Sequence, residues 1–337
     1  MKKIFVTGGA GFIGSSFIRQ VLDSSPETEI VNFDALTYAG NLENLSEVAS
    51  PGHHFVKGDI RNVEEVMQAL PDSCDAIFNF AAESHVDRSI ESASEFITTN
   101  VLGTQVLLDA ARKRSTKRFI QVSTDEVMGT LPDDSEDLFT EESVIRPNSP
   151  YAASKAAAEH LVRVARETFG MDTVITRCGN NYGPRQFPEK LIPLVIANAI
   201  DGKKIPVYGD GGNVRDWIFV DDHSRAVWSA YEKGVPGGIY NIGARNEKKN
   251  IDVVRSILKI LDRPESLIEF VTDRPGHDRR YAIDPRKAER ELGWSAQTDW
   301  TRGLAMTIDW YRSNPEWVAN VRSGEYLEYY ERNYRNR

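Results

Sequence analysis

Cysteine is scarce in this chain. Its 337 residues hold two, Cys74 and Cys178, far apart in sequence. A disulfide framework is therefore excluded, and a reduced, cytosolic protein is the expectation. Long apolar runs are also missing. No stretch approaches the roughly 18 apolar residues that a membrane helix requires. The opening Met-Lys-Lys is basic like a secretion signal, but its short apolar run breaks at once into glycines, so no signal peptide is expected. Positive charge is in deficit, with 41 Lys and Arg against 50 Asp and Glu and a net charge of −9. Nonspecific nucleic-acid binding is thereby disfavoured, and an anionic ligand would need a local cluster of Arg and Lys. His, Cys, Asp and Glu nowhere fall at metal-ligand spacing, so no metal is expected. Internal repeats and low-complexity tracts are absent.

What remains is an ordinary globular composition, 40% hydrophobic and 27% charged. The length suits one large α/β domain or two unequal lobes. The first half alternates short β-rich runs (3–7, 30–34, 54–57, 76–80, 118–123, 173–177) with helical patterns (12–22, 63–70, 93–114, 152–169). That alternation predicts a doubly wound parallel sheet with helices on both faces. Ligands bind such sheets beyond the carboxyl ends of the strands. From about residue 179 the chain becomes richer in Gly, Pro and Asn, with loop-like stretches crowded with polar and aromatic residues. We expect a Rossmann-type dinucleotide-binding domain over 1–178, joined by about 214–240. A smaller α/β substrate lobe is expected over 179–213 and 241–337.

Thr7-Gly8-Gly9-Ala10-Gly11-Phe12-Ile13-Gly14 puts Gly8, Gly11 and Gly14 at three-residue spacing between a strand and a helix. Glycine lets the backbone turn and approach a pyrophosphate, which the helix N-terminus attracts. Alone the motif is weak and a plain turn would explain it. Asp34, ending the second strand, strengthens it: a carboxylate there accepts from a ribose diol and repels a 2′-phosphate, favouring NAD over NADP. Asp59 and Ile60, after the third strand, would lie near the adenine.

Tyr151-Ala152-Ala153-Ser154-Lys155 opens a helical stretch, with Tyr151 and Lys155 on one face. An ammonium there, together with an oxidised nicotinamide, would favour the phenolate and let Tyr151 take a hydroxyl proton. For an isolated Tyr-x-x-x-Lys, a packed Tyr and a solvated Lys would suffice. Asp125 and Glu126 stand side by side at a strand end. They read either as two solvated acids at a corner or as an acid and a base for a second reaction, β-elimination of water.

The glycine spacing together with Tyr-x-x-x-Lys resembles the extended branch of the short-chain dehydrogenase/reductase superfamily, over nearly the whole chain. Thr124-Asp125-Glu126 resembles the Thr-Asp-Glu motif of nucleoside-diphosphate-hexose 4,6-dehydratases. So do "FDALTYAGN" from Phe33, "NFAAESHVDRSI" from Asn79, "NNYGPRQFPEKLIP" from Asn180, "GNVRDWIFVDDHSRA" from Gly212 and "DRPGHDRRYAID" from Asp273. The resemblance implies a hydro-lyase with tightly bound NAD. It would oxidise C4 of the hexose, eliminate water across C5–C6 and return hydride to C6, giving a 4-keto-6-deoxyhexose for deoxysugar biosynthesis. Thr124, Tyr151 and Lys155 would handle the oxidation, with Asp125 as acid and Glu126 as base.

The implied cofactor set is Gly8, Gly11, Phe12, Ile13, Gly14, Asp34, Ala35, Leu36, Thr37, Asp59, Ile60, Ala81, Ala82, Glu83, Thr99 and Asn181, besides Tyr151 and Lys155. On the substrate side Ser84 and His85 follow the fourth strand, His85 in a positioning role. Asn180 would touch the sugar or its first phosphate. Glu189, Lys190 and Leu191 would line the ligand site, and Pro206, Val207 and Tyr208 would flank the base. Arg215 and Asn250 would bind the pyrophosphate, and Arg274 and His277 would close over the nucleotide. Arg279 and Arg280 belong to the same cationic run.

The chain departs from the family at Met128, where Tyr is usual, and at Gly179, where Ser is common. Both changes remove polar groups near the expected sugar site. The first-choice substrate is dTDP-glucose, and UDP-N-acetylglucosamine (or UDP-glucose) is the alternative these positions raise. Thymine differs from uracil by one methyl, worth only about 1–3 kcal/mol in an apolar pocket. A UDP-sugar 4-epimerase or decarboxylase of the same fold would not need Asp125 and Glu126. A non-catalytic nucleotide-sugar sensor would not need the intact set. The resemblance also implies a homodimer through a four-helix bundle built from 93–114 and 152–169.

Overall fold

Short β-branched and aromatic runs become buried strands, and polar residues and glycines end them. The computed structural model describes residues 2–133 and 135–322. The strands are β1 (Lys3–Thr7), β2 (Glu29–Asp34), β3 (His53–Lys57), β4 (Ala76–Asn79), β5 (Arg118–Thr124), β6 (Thr173–Cys178), β7 (Asn180–Tyr182), β8 (Ile205–Tyr208), β9 (Val214–Phe219), β10 (Ile239–Ile242), β11 (Glu247–Lys249) and β12 (Ile268–Val271). Seven of them form one sheet in the order β10-β6-β5-β4-β1-β2-β3. All its pairings are parallel, as the alternation of strands and helices requires. The chain reverses direction across the sheet between β1 and β4, which opens a crevice at their carboxyl ends. Near that edge a buried polar chain crosses the strands. Thr7 Oγ1 donates to Asn79 Oδ1 at 2.7 Å, and Asn79 Nδ2 donates to Gln121 Oε1 at 2.9 Å.

Each face of the sheet is covered by its own core. Phe17, Phe78, Val227 and Tyr240 pack on one side, and Phe5, Phe33, Leu107, Phe119 and Val162 on the other. A third core, with Tyr182, Val195, Trp217, Phe219 and Ile257, holds the second lobe together. There β11-β9-β7 form a three-stranded sheet and β12-β8 a two-stranded one.

Three expectations need correction. The segment 214–219, expected to return to the first lobe, is β9 and lies in the small sheet between β7 and β11. The helix that follows it, Val220–Lys233, does return: Ser16 Oγ of the first lobe donates to Asp221 Oδ1 at 2.8 Å. Part of 241–337 also crosses over. Ile242 ends the edge strand of the large sheet, and Ala288, Leu292 and Trp294 join its core. The stretch 93–114 is not one regular helix. Ser94–Phe96 and Thr104–Lys113 flank a π-helical turn, Ile97–Gly103, and a Cβ at Gly103 would lie 2.6 Å from Ile60 Cδ1. Residues 323–337 of the expected second lobe lie outside the described residues.

Candidate active site

The helix Pro150–Phe169 shows how local sequence sets a reactive side chain in place. Ser149 caps it, its hydroxyl accepting from Ala152 N at 3.1 Å, and proline occupies the first turn. Gly170 ends it in the left-handed conformation, with φ 68°. Tyr151 therefore enters at the first turn and Lys155 one turn later. Ser154 Oγ donates back to Tyr151 O at 2.7 Å and accepts from Asn100 Nδ2 at 2.8 Å. Asn100 also pairs with both the N–H and the carbonyl of Glu83, each at 2.9 Å. It thus braces the loop after β4 against the tyrosine helix. Asn100 was not expected, and its only sequence signal is a polar residue inside an otherwise amphipathic stretch.

A cavity of about 310 Å³ runs along the carboxyl ends of the strands. Gly8, Gly11, Phe12, Ile13 and Gly14 line one end. Gly8 turns with φ 70°, and a Cβ on it would lie 2.6 Å from Ala81 N. A Cβ on Gly14 would lie 2.2 Å from Gly8 O. The helix Phe12–Ser24 begins at Gly11 with no side-chain cap, so its N-terminus is left for a ligand. Asp34 ends β2 beside it, with Oδ2 accepting from Ala10 N at 2.9 Å and Oδ1 from Leu36 N at 2.8 Å. Each oxygen keeps a lone pair for a further donor. Burial raises the Asp34 pKa, and these two bonds oppose the rise. A glycine cradle, an open helix end and a carboxylate suit a dinucleotide with a free ribose diol.

The remaining cofactor positions expected from sequence fall on the same wall: Ala35, Thr37, Asp59, Ile60, Ala81, Ala82, Glu83, Thr99 and Asn181. Leu36 does not line the cavity and contributes its N–H to Asp34 instead. Phe33, Gly40, Gly58, Arg61 and Phe80 complete this end without having been expected.

Thr124, Asp125 and Glu126 stand where β5 passes into a short 3-10 turn, Asp125–Met128. Thr124 caps the turn, its hydroxyl accepting from Glu126 N at 3.3 Å and donating to Asp125 Oδ1 at 3.3 Å. Asp125 is 1% exposed, and its Oδ2 has no hydrogen-bond partner among the described residues. Burial, then the Glu126 charge, push its pKa well above the usual carboxylate range, against the pull of Arg215. Glu126 is only partly buried. Burial raises its pKa too, but Arg274, Arg215 and Lys190 draw it down. The adjacent carboxyls thus divide into one held as an acid and one facing cations.

Tyr151 is pushed well above its ordinary pKa by burial and then by Glu126, while a hydrogen bond with Thr124 works the other way. Lys155 is lowered to about 8 by burial, and its Nζ donates to Val122 O at 2.7 Å. In the protein alone burial and the Glu126 charge raise the Tyr151 phenol, against the lowering expected from Lys155.

Ser84, Asn180, Glu189 and Lys190 also line the cavity, with Gln186 and Phe187. Lys190 Nζ donates to Ser84 O at 2.8 Å. Glu189 is pushed up to about 7 by burial. Tyr38 donates to its Oε1 at 3.2 Å, Arg88 stacks over the Tyr38 ring at 3.8 Å, and Phe187 meets that ring edge-on. Tyr38 and Phe187 lie within the segments beginning at Phe33 and Asn180. Their aromatic-and-charge interleaving was the available signal. His85 is not on the cavity wall. It caps the helix Val86–Glu91, with Nε2 3.8 Å from Glu189 Oε2.

The nucleotide-side residues form a second group that reaches Glu126 through its arginines. Tyr208 and Arg274 both contact Asp87, at 2.9 and 3.2 Å. The His277 ring stands edge-on to Tyr208, and its Nδ1 is 2.6 Å from Asp273 Oδ1. Arg215 stacks over Tyr281 at 4.2 Å. Pro206 and Val207 are buried in β8, Leu191 packs against the second-lobe core, and Asn250 opens the helix Asn250–Ile260. None of these lines the cavity.

Two expectations fail outright. Met128 does not face the cavity. It is 3% exposed and packed with Val127, Leu131, Phe139 and Tyr281, its sulfur 3.8 Å from Arg177 Nη1. Arg279 and Arg280 do not join Arg215 and Arg274 beside Glu126: Arg279 is paired with Asp133 and Asp210, and Arg280 with Glu247. Among the described residues no cluster of His, Cys, Asp and Glu could hold a metal ion, and no helix is long and apolar enough to cross a membrane.

Comparison with known proteins gives consistent likenesses. The family model described as GDP-mannose 4,6 dehydratase matches residues 5–307. A dTDP-glucose 4,6-dehydratase of Escherichia coli is 48% identical, over 99% of this chain and 99% of its own length. One from Neisseria meningitidis is 50% identical over 97% and 98%. A solved dTDP-glucose 4,6-dehydratase of Streptomyces venezuelae, with NAD and TYD bound, superposes with a TM-score of 0.92 at 48% identity, covering 95% of this chain and 99% of that one. A UDP-glucose 4-epimerase of Thermus thermophilus superposes less closely, at TM-score 0.84 and 30% identity, over 92% and 99%.

Proposed function

The chain belongs to the GDP-mannose 4,6 dehydratase family, and from that premise we propose that it is an NAD-dependent dTDP-glucose 4,6-dehydratase, a hydro-lyase. The observation that carries the reading is the carboxyl pair: Asp125 buried and held as an acid, and Glu126 beside it, raised by burial against the pull of Arg274, Arg215 and Lys190. An epimerase oxidises and re-reduces one carbon and has no use for such a pair. The test is product mass after incubation with dTDP-glucose. Loss of one water supports the reading, and an isomer of unchanged mass would replace it with epimerase chemistry.

The glycine cradle, the open helix end and Asp34 would hold NAD, with Asp59 and Ile60 toward the adenine. NAD held there would supply the hydride chemistry, accepting hydride at C4 of the hexose and giving it back at C6. Tyr151 receives the C4 hydroxyl proton, and Thr124, which acts on that phenol, orients the same hydroxyl. Lys155, anchored on Val122 O, supplies positive charge at this end of the cavity. Once C4 is a ketone, the C5 hydrogen is acidic. Glu126 takes it, Asp125 gives its proton to the departing C6 hydroxyl, and Glu126 returns a proton to C5 as hydride reaches C6. Asp125 needs its proton beforehand, and its burial keeps that proton in place.

Asn180, Glu189 and Lys190 meet the sugar and its first phosphate in this reading. Arg215, Arg274, His277 and Asn250 take the diphosphate and nucleoside, with Tyr208 beside the base. Glucose is favoured over an N-acetylated sugar. Met128 packs in a core, so the exchange of Tyr for Met there frees no space in the cavity. Gly179 lines the cavity, but a Cβ on it would lie 2.7 Å from Asp216 O. Its glycine answers a close backbone approach, which needs no extra substituent on the sugar to explain it.

The same proposal extends to assembly and setting. Ile97 and Leu102 on the π-helical turn, and Val164 and Phe169 on the tyrosine helix, are exposed apolar side chains. They suit a homodimer through a four-helix bundle. We read the NAD lobe as 1–178 completed by the helix Val220–Lys233, β10 and the segment carrying Ala288, Leu292 and Trp294, with the other described residues forming the sugar lobe. Two free buried thiols fit a reducing cytoplasm.

A further inference from the structure

One buried group near the cavity is used by no step above. His223 lies in the first turns of the helix Val220–Lys233 and has no exposed surface. Its Nδ1 is 2.9 Å from Asn181 Oδ1. Its Nε2 has no hydrogen-bond partner among the described residues. An unpaired buried ring nitrogen costs stability. An apolar side chain would fill this place at less cost if filling were all the position required.

The surroundings of Asn181 determine the tautomer. Asn181 Nδ2 donates to Gly179 O at 3.2 Å and to Cys178 Sγ at 3.4 Å. A carbonyl oxygen only accepts, so the amide nitrogen, and not the amide oxygen, must face Gly179. Asn181 Oδ1 therefore faces His223, and it too only accepts, so His223 Nδ1 carries the proton. Burial lowers the His223 pKa to about 3, so the ring stays neutral and the arrangement does not change near neutral pH. The main chain of Asn181 is tied as well, its carbonyl accepting from Gln186 Nε2 at 2.9 Å. Asn181 and Gln186 both line the cavity. Cys178, just before them, is level with Thr124 across the sheet.

We propose that His223 is a positioning residue for the nicotinamide end of the cofactor, locking the Asn181 carboxamide in one orientation on the cavity wall. Without the His223 donor the Asn181 oxygen loses its partner, and the carboxamide is held only by its nitrogen, through the longer bonds to Gly179 O and Cys178 Sγ. Held from one end, the side chain can swing into the space the cofactor needs. The inference rests on the NAD-dependent reading above.

The test is the rate at which bound NAD leaves the holoenzyme, with thermal unfolding measured in parallel. His223→Leu removes the donor. His223→Asn keeps an N–H close to the place of Nδ1. The expected result is NAD loss at least about tenfold faster in His223→Leu and within about threefold of the parent in His223→Asn, at similar unfolding temperatures. NAD loss at the parental rate in His223→Leu would overturn the proposal. So would equal impairment of both variants in retention and unfolding, which would make His223 a packing residue only. Should His223→Leu not fold, His223→Phe keeps the ring, removes the donor and is read the same way. A parent protein that carries no NAD would instead defeat the functional reading itself.

Discussion

At the scale of single residues, the account rests on unlike environments for like groups. Asp125 and Glu126 are neighbours, yet one is sealed beside Thr124 and the other faces Arg215 and Arg274. Asp125→Asn and Glu126→Gln should each lower kcat by about 10²–10⁴-fold, the range lost with a general acid or base. Oxidation at C4 should survive in both, seen as reduced-nicotinamide absorbance on mixing with substrate. The pH profile of kcat should be bell-shaped. Glu126 must be deprotonated, so the acid limb lies above the usual carboxylate pKa. Asp125 must be protonated, so activity falls again as pH rises through its raised pKa.

Glu189 makes a stability prediction whose sign follows from proton binding. Its folded-state pKa, about 7, lies above the unfolded value near 4.3. The folded state therefore binds more protons between those values, and this group's cost appears as pH rises through them. Glu189→Gln should unfold a few degrees higher at pH 8, and the gain should vanish by about pH 4. A constant difference across that range would show that the side chain acts by packing alone.

Met128 marks a limit of residue-level reading. Its place after Asp125-Glu126 suggested the sugar site. The 3-10 turn instead points it into a core completed by Tyr281, Ala282 and Ile283, far away in sequence. Nothing local announces that partner. Met128→Tyr should cost about 1–3 kcal/mol in stability as an overpacking change, and shift the preference between dTDP-glucose and UDP-N-acetylglucosamine by less than threefold. The pairing of Arg279 with Asp133 and Asp210 was hidden for the same reason.

At the scale of elements, the strands of the large sheet expected from sequence lie within a residue or so of those observed, because β-branched runs between glycines and polar turns encode them locally. The glycine loop and the Tyr151 helix were legible because turn, cap and spacing all lie within a few residues. The partner of β9 was not, since a strand's pattern does not say which sheet receives it. The π-helical turn was hidden too; Gly103 within it meets Ile60 from another element, a contact that no local pattern announces. Ser149→Ala should show how far an element places chemistry. It removes the cap on the helix that carries Tyr151, costing about 1 kcal/mol, and a loosened first turn should lower kcat more than KM rises.

At the scale of the whole molecule, the switch in strand order between β1 and β4, the second lobe and the helix Val220–Lys233 bring residues from distant parts of the chain to one cavity. Exposed apolar side chains on the helical face opposite that chemistry suit a second copy. Leu102→Asp should yield monomers by light scattering, while a particle mass unchanged from the parent would remove that face from the assembly. The central claim is that one molecule oxidises C4, eliminates water and reduces C6 of a hexose on dTDP. It is tested most directly by incubating the protein with dTDP-glucose carrying deuterium at C4. The account predicts a product lighter by one water that keeps the deuterium, now at C6. An isomer of the starting mass, or a dehydrated product whose deuterium has been lost to solvent, would contradict it.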